Sequence, residues 1–186
     1  MKGTIFNYLE EFVSKNHGED SWISLIENTE LETEDAIFVG PGNYPDKDLF
    51  ALAQTASEML KTPIEDILHS FGYFVLEKFS VDFPIFFEKV SSAKDFLSSI
   101  HCVIHVEVKK LYPDAETPDF EYETPGNDEL VMSYYSSRKL CIFLRGLLDG
   151  VADYFKEKID YIETQCMHQG GDHCKFHLTF SGVKNG

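Results

Sequence analysis

The chain is poor in positive charge: 16 Lys and Arg stand against 32 Asp and Glu, for a formal net charge of -16. DNA and RNA require a basic face, so this balance argues against nucleic-acid binding. An anionic bilayer surface would repel the chain for the same reason. No stretch approaches the ~20 apolar residues of a membrane span. Met1-Lys2-Gly3 also runs into amphipathic sequence and not into a signal-peptide core. The expected location is therefore cytoplasmic. Repeats, low-complexity tracts and a recognisable linker are missing too, so the 186 residues are expected to form one domain. A domain of that size buries about 70% of its unfolded surface. Paired carboxylates beside the candidate histidines, an activated nucleophile and a phosphate-binding glycine loop are also absent, which argues against an enzyme.

What is present is apolar and aromatic: 43% hydrophobic residues with 16 Phe, enough for a core and an apolar cavity. Ile5, Leu9, Phe12 and Val13 share one side of a helix over 2–16, which Asn16-His17-Gly18 ends. A second helix is capped by Asp20-Ser21 and runs to Glu27, and the acidic stretch Glu30–Pro45 reads as loop. Helices are expected over Asp46–Leu60 and from Pro63, with Phe79–Pro84 breaking the pattern before a short helix. A long helix follows from near Ser91 to Tyr112, where Pro113 stops it. Prolines then punctuate strands at Phe120–Glu123 and Glu129–Tyr135, and a helix spans Lys139–Lys156. Two more strands, about Lys158–Met167 and His173–Phe180, flank the hairpin signal Gly170-Gly171-Asp172. Helices first and sheet later read as α+β, with a helical lobe over about 1–62 and a four-stranded antiparallel sheet in the lobe over about 63–186.

The most telling local pattern is Tyr134-x-Ser136-x-Arg138. On a strand these three side chains project the same way, giving one face a phenol, a hydroxyl and a guanidinium. Such a row suits a carboxylate pair, with Arg138 binding through its planar fork. The plain alternative is a solvated edge. Upstream, apolar residues at 97, 100, 104, 108 and 111 mark the long helix, and His101 and His105 are four apart on it. Helix geometry alone does not separate the two histidines as metal ligands. A shared His-x-x-x-His metal has no Glu between them to act as a base.

The order of helix-borne His, Tyr112-Pro113, Thr117-Pro118 and the Tyr-x-Ser-x-Arg row resembles the H-NOX family of haem-nitric oxide/oxygen-binding domains, related to the haem domain of soluble guanylate cyclase. Met1-Lys-Gly-Thr-Ile5 and the region from Ala56-Ser-Glu58 to Phe71-Gly72 extend the resemblance across the chain. The resemblance implies haem b between the helices and the sheet. It selects His105, seven residues before Tyr112, as the proximal ligand, and makes Tyr134, Ser136 and Arg138 the propionate clamp. Ile5 and Pro118 match positions that press on the macrocycle, although core packing would look the same, and Phe79 is placed among the cofactor contacts. Where O₂-binding members carry a donor Tyr, a Trp and an Asn, this chain has Phe143, Leu9 and Val75. The implied function is a nitric oxide sensor that also takes carbon monoxide. Ligation would weaken the iron–His105 bond, and a separate partner, a histidine kinase or a cyclic-dinucleotide signalling enzyme, would read the change. A haem or gas carrier that does not switch is the alternative.

Cys102, Cys141, Cys166 and Cys174 call for metal binding or free thiols in the absence of an export signal. Cys166-x-His168 places two ligand-type side chains on one expected strand face, with Cys174 across the hairpin and Cys141 after the clamp. Three thiolates and an imidazole would close a tetrahedral zinc site. A bacterial H-NOX branch is similar in holding zinc at the positions of Cys141, Cys166 and Cys174. Its fourth ligand is a His where this chain has Glu163, so His168 is the expected substitute, with Glu163 or His173 behind it. Reduced thiols in a core, or a redox pair, are the alternatives.

Overall fold

A computed structural model describes residues 1–183. Helices α1 (Gly3–His17), α2 (Glu19–Glu27), α3 (Asp46–Leu60) and α4 (Ile64–Asp82) come first. They are followed by α5 (Pro84–Glu88), α6 (Ala93–Ser99) and α7 (His105–Leu111), with a π-helical turn over Ile100–Ile104 between the last two. Strands β1 (Asp119–Glu123) and β2 (Glu129–Tyr135), helix α8 (Cys141–Phe155), and strands β3 (Glu157–Gln165) and β4 (Cys174–Val183) complete the described residues. The four strands form one antiparallel sheet in the order β1-β2-β4-β3.

Two apolar cores result. In the first, α1 inserts Phe6, Leu9 and Val13, at helical spacing, against Leu52 of α3 and Phe71 and Val75 of α4. The second joins Leu97 of α6, Leu130 and Met132 of β2, Leu148 of α8, and Phe176 and Leu178 of β4. Helix α4 serves both, since Ile67 to Val75 lie in the first core and Leu76 in the second. Phe79 and Leu147 pack against both. Helices α4 and α8 cross at very short range: a Cβ on Gly146 would lie 1.9 Å from the His69 carbonyl oxygen, and one on Gly72 2.1 Å from that of Phe143.

Four expectations need correction. The helix after Pro63 does not break at Phe79 but runs on to Asp82, because Phe79 faces the junction of the two cores. The long helix ending near Tyr112 is not regular; a π turn precedes His105, whose N–H reaches the Ile100 carbonyl. Strand β2 stops at Tyr135, so Ser136 and Arg138 belong to a turn. In that turn the Lys139 N–H donates to the Ser136 carbonyl and Lys139 itself takes φ 51°. Strand β3 likewise stops at Gln165, and Met167–Gln169 forms a 3₁₀ turn, so Cys166 and His168 do not share a strand face.

Candidate functional site

Sheet register builds the first half of the site. Phe120 on β1, Tyr134 on β2 and Cys174 on β4 stand side by side, all buried on the face that packs into the second core. The His105 ring lies 5.8 Å from the Phe120 ring, which lies 5.5 Å from that of Tyr134. His105 is half-buried and its Nδ1 is fully covered without a hydrogen-bond partner. Burial is the main reason its pKa drops to about 4, assisted by the nearby charges of His101 and Lys109, while the Pro118 carbonyl partly opposes the drop. The imidazole is therefore neutral at physiological pH and keeps a lone pair for a metal. His101 is more exposed; its Nδ1 accepts the Phe120 N–H at 3.4 Å.

Two of the Tyr-x-Ser-x-Arg residues, Ser136 and Arg138, lie off the strand, and the Arg138 guanidinium is engaged by Asp46 and Glu116. Tyr134 is buried, which raises its phenol pKa against hydrogen bonding with Ser136 and the Leu140 backbone. Arg138 donates from Nε to Asp46 at 2.7 Å, from one terminal nitrogen to the Glu116 carbonyl at 2.8 Å, and from the other to the Glu116 carboxylate at 3.0 Å. The second Asp46 oxygen sits 2.8 Å from the Met1 amine. Burial alone would raise the Asp46 carboxyl, but the Met1 amine and Arg138 outweigh it and hold it below the usual range. Nothing in the sequence pattern points to Asp46 or Glu116 as partners of Arg138. Asp46 lies 92 residues from Arg138, and no local signal joins them. An open cleft of about 480 Å³ lies against this cluster, walled by Lys109, Thr117, Pro118, Ser136 and Arg138.

The other half is apolar. Leu9 and Val75 are buried in the first core, with Ile5, Phe79 and Phe143 packed at its edge. The Phe143 ring lies 5.5 Å from that of Phe71. None of these five side chains carries a hydrogen-bond donor.

A second cluster lies behind Tyr134. One ligand atom each from Cys141, Glu163, Cys166 and Cys174 falls within 4.8 Å of all the others. Cys141 opens α8, Cys174 opens β4, and Cys166 follows β3, so chain topology alone brings them together. The Cys141 and Cys166 sulfurs are 3.9 Å apart, and the Met167 N–H donates to the Cys174 sulfur at 3.3 Å. Burial raises the thiol pKa of both Cys141 and Cys174. One Glu163 oxygen accepts from Arg145, and the other is buried without a partner. His168, the expected fourth ligand, does not join: it is exposed and its Nε2 lies 2.8 Å from the Lys139 carbonyl. His173 is also elsewhere, with its Nδ1 2.7 Å from Asp172.

The haem-NO-binding (HNOB) family profile matches residues 2–163, most of the chain. The chain belongs to this family, the H-NOX domains. Among solved structures, the S. oneidensis H-NOX protein in its Fe(II)NO ligation state is 32% identical, with TM-score 0.91, covering 98% of this chain and 100% of that one. The Fe(II) unliganded H-NOX protein from K. algicida is 28% identical with TM-score 0.88, covering 98% and 97% respectively. The Shewanella woodyi H-NOX, solved in the Fe(II)CO state with IWP-051 bound, is 31% identical with TM-score 0.85, covering 100% and 97%.

H-NOX domains are haem-based gas sensors, and the residues here fit such a group. A neutral imidazole, donor-free apolar side chains in the first core and a guanidinium that already pairs with two carboxylates are the residue types that an axial ligand, an apolar slot and a carboxylate anchor call for. No helix among the described residues is long and apolar enough to cross a membrane.

Proposed function

We propose that this H-NOX domain is a cytoplasmic nitric oxide sensor in which His105 is the axial haem ligand and Tyr134, Ser136 and Arg138 hold the propionates. Held by these residues, haem would supply an iron able to take nitric oxide or carbon monoxide. The chain's own residues set the selectivity and the response. Leu9, Val75 and Phe143 offer no donor to a bound gas, and O₂ depends on such a donor far more than nitric oxide does. That donor-free wall is the observation that carries the reading. His105 opens α7, so loosening its hold frees that helix relative to the α1–α4 lobe. A two-state element biased by ligand is what signal transfer needs. The proposed reader of the switch is a separate histidine kinase or cyclic-dinucleotide signalling enzyme, as family kinship implies.

Anaerobic titration of the reduced, haem-loaded protein tests the reading. Nitric oxide and carbon monoxide should each shift the Soret band, and air-saturated buffer should not yield a stable O₂ complex. Stable O₂ binding would overturn the selectivity. Gas binding without any change in hydrogen exchange would point to a carrier. Phe143→Tyr should add the missing donor. A hydrogen bond to a charged partner contributes about 1.5–3 kcal/mol, so O₂ affinity should rise roughly 10- to 100-fold, as measured by stopped-flow on and off rates.

Cys141, Cys166, Cys174 and Glu163 are the proposed ligands of a structural zinc, with Glu163 standing where His168 was expected. Support comes from the orphaned Glu163 oxygen among three thiols in a closed, mostly buried group. Since burial keeps the Cys141 and Cys174 thiols protonated when free, loading should release protons and weaken as pH falls. Elemental analysis of the purified protein should find about one zinc, and a Cys174→Ala variant well under half as much. Equal zinc in the two would refute the site.

A further inference from the structure

The segment that bears His105 is only partly anchored: Ile100 and Ile104 pack against the second core, but neither the π turn Ile100–Ile104 nor α7 contains a fully buried residue. Its position must then depend heavily on what holds its ends, because segments with few buried contacts shift at low cost. At its C-terminal end the holding contacts are specific. The Tyr112 N–H donates to the Val108 carbonyl, and the Ala115 N–H to the Tyr112 carbonyl. The turn carrying Asp114 is thereby tied to α7. One Asp114 oxygen accepts from Lys2 Nζ at 2.8 Å, and the other accepts from the Asn43 amide. Lys2 Nζ also donates to the Pro41 carbonyl at 3.1 Å and lies 5.2 Å from the centre of the Tyr112 ring. The Lys2 side chain is only 15% exposed, whereas that of Asp114 is 64% exposed. Lys2 immediately precedes α1, and its backbone bridges to Asn43, so both partners of Asp114 belong to one unit of the first lobe.

We infer that Lys2 and Asn43 form a latch on Asp114 that passes displacement of the His105 helix to α1. Lys2 and Asp114 are thus positioning residues of the switch, remote from the gas. The inference rests on the reading of His105 as the axial tether. The pair touches neither apolar core and its carboxylate side is exposed, so loss of the latch should leave the fold intact and change what α1 feels. A covered ammonium with a carboxylate, a carbonyl and an aromatic ring around it has one preferred geometry, which suits it to transmit a small movement.

The test is hydrogen exchange on the full-length, haem-loaded protein with and without nitric oxide, alongside gas binding by absorption. In the unaltered protein, nitric oxide should change exchange in both α7 and α1. Asp114→Ala and Lys2→Met should keep gas binding and the α7 response but lose the α1 response, while Lys2→Arg should retain it. If α1 still responds in both Asp114→Ala and Lys2→Met, the latch is refuted and the sensor reading stands. If Lys2→Arg loses the response as fully as Lys2→Met, charge is not the coupling element and the latch fails in this form. If the unaltered protein binds nitric oxide with no response in α7, the His105 tether itself is wrong.

Discussion

A His105→Gly variant should emerge from purification with at least about tenfold less Soret absorbance, and imidazole added during haem loading should restore it. Even groups that merely support a metal ligand alter affinity by about 10- to 100-fold, so deletion of the ligand itself sets that range as a floor. The glycine leaves the slot, the Arg138 anchor and the Phe120 wall in place, which is why an external imidazole can act as a substitute. His101→Gly is the matched comparison. His101 is more exposed and engaged with the Phe120 N–H, so its loss should leave the spectrum nearly unchanged. Reversed outcomes would move the axial role to His101.

The second large effect concerns Gly146. Its missing side chain lets α8 lie against α4, and an alanine Cβ there would sit 1.9 Å from the His69 carbonyl oxygen and 2.8 Å from the Tyr73 nitrogen. Both obstacles are backbone, so the helices themselves must separate. Overpacking of this kind costs about 3 kcal/mol or more. In a chain of this size that corresponds to a fall of roughly 10 °C in Tm. Gly182→Ala is the control, since nothing lies within 4 Å of its added Cβ. Urea and thermal unfolding of the two variants side by side provide the measurement. If Gly146→Ala matches Gly182→Ala, the α4–α8 crossing is less rigid than described.

Local pattern was readable wherever local forces decide the outcome. Helix α3 spans Asp46–Leu60 and strand β2 spans Glu129–Tyr135, as apolar spacing and flanking Pro and Gly indicate. Where the structure departs from the apolar pattern, either the deciding partner lies far along the chain or the irregularity leaves no mark on the spacing. The strand bounds hold, but Tyr134, Ser136 and Arg138 do not form one strand row: Arg138 turns away to reach Asp46 and Glu116, and non-glycine Lys139 adopts a left-handed backbone that no residue type announces. The π turn before His105 amounts to one extra residue in a helix, invisible to a periodicity count. Glu163 replaced His168 in the thiol cluster because the strand ends at Gln165 and its pairing with β4 shifts between Glu163 and Gln165. On a longer strand His168 would stand beside the thiols, where the structure has Glu163.

Helix α4 has its own implication for how this molecule can be divided. Its first half stands in one core, its later residues reach the other, and Phe79 touches both. Cutting the chain near residue 62 would therefore not free a self-sufficient half; it would remove Phe71 and Val75 from the residues that close around Phe6 and Leu52. The two lobes resemble beams sharing one joist, and neither stands when the joist is removed.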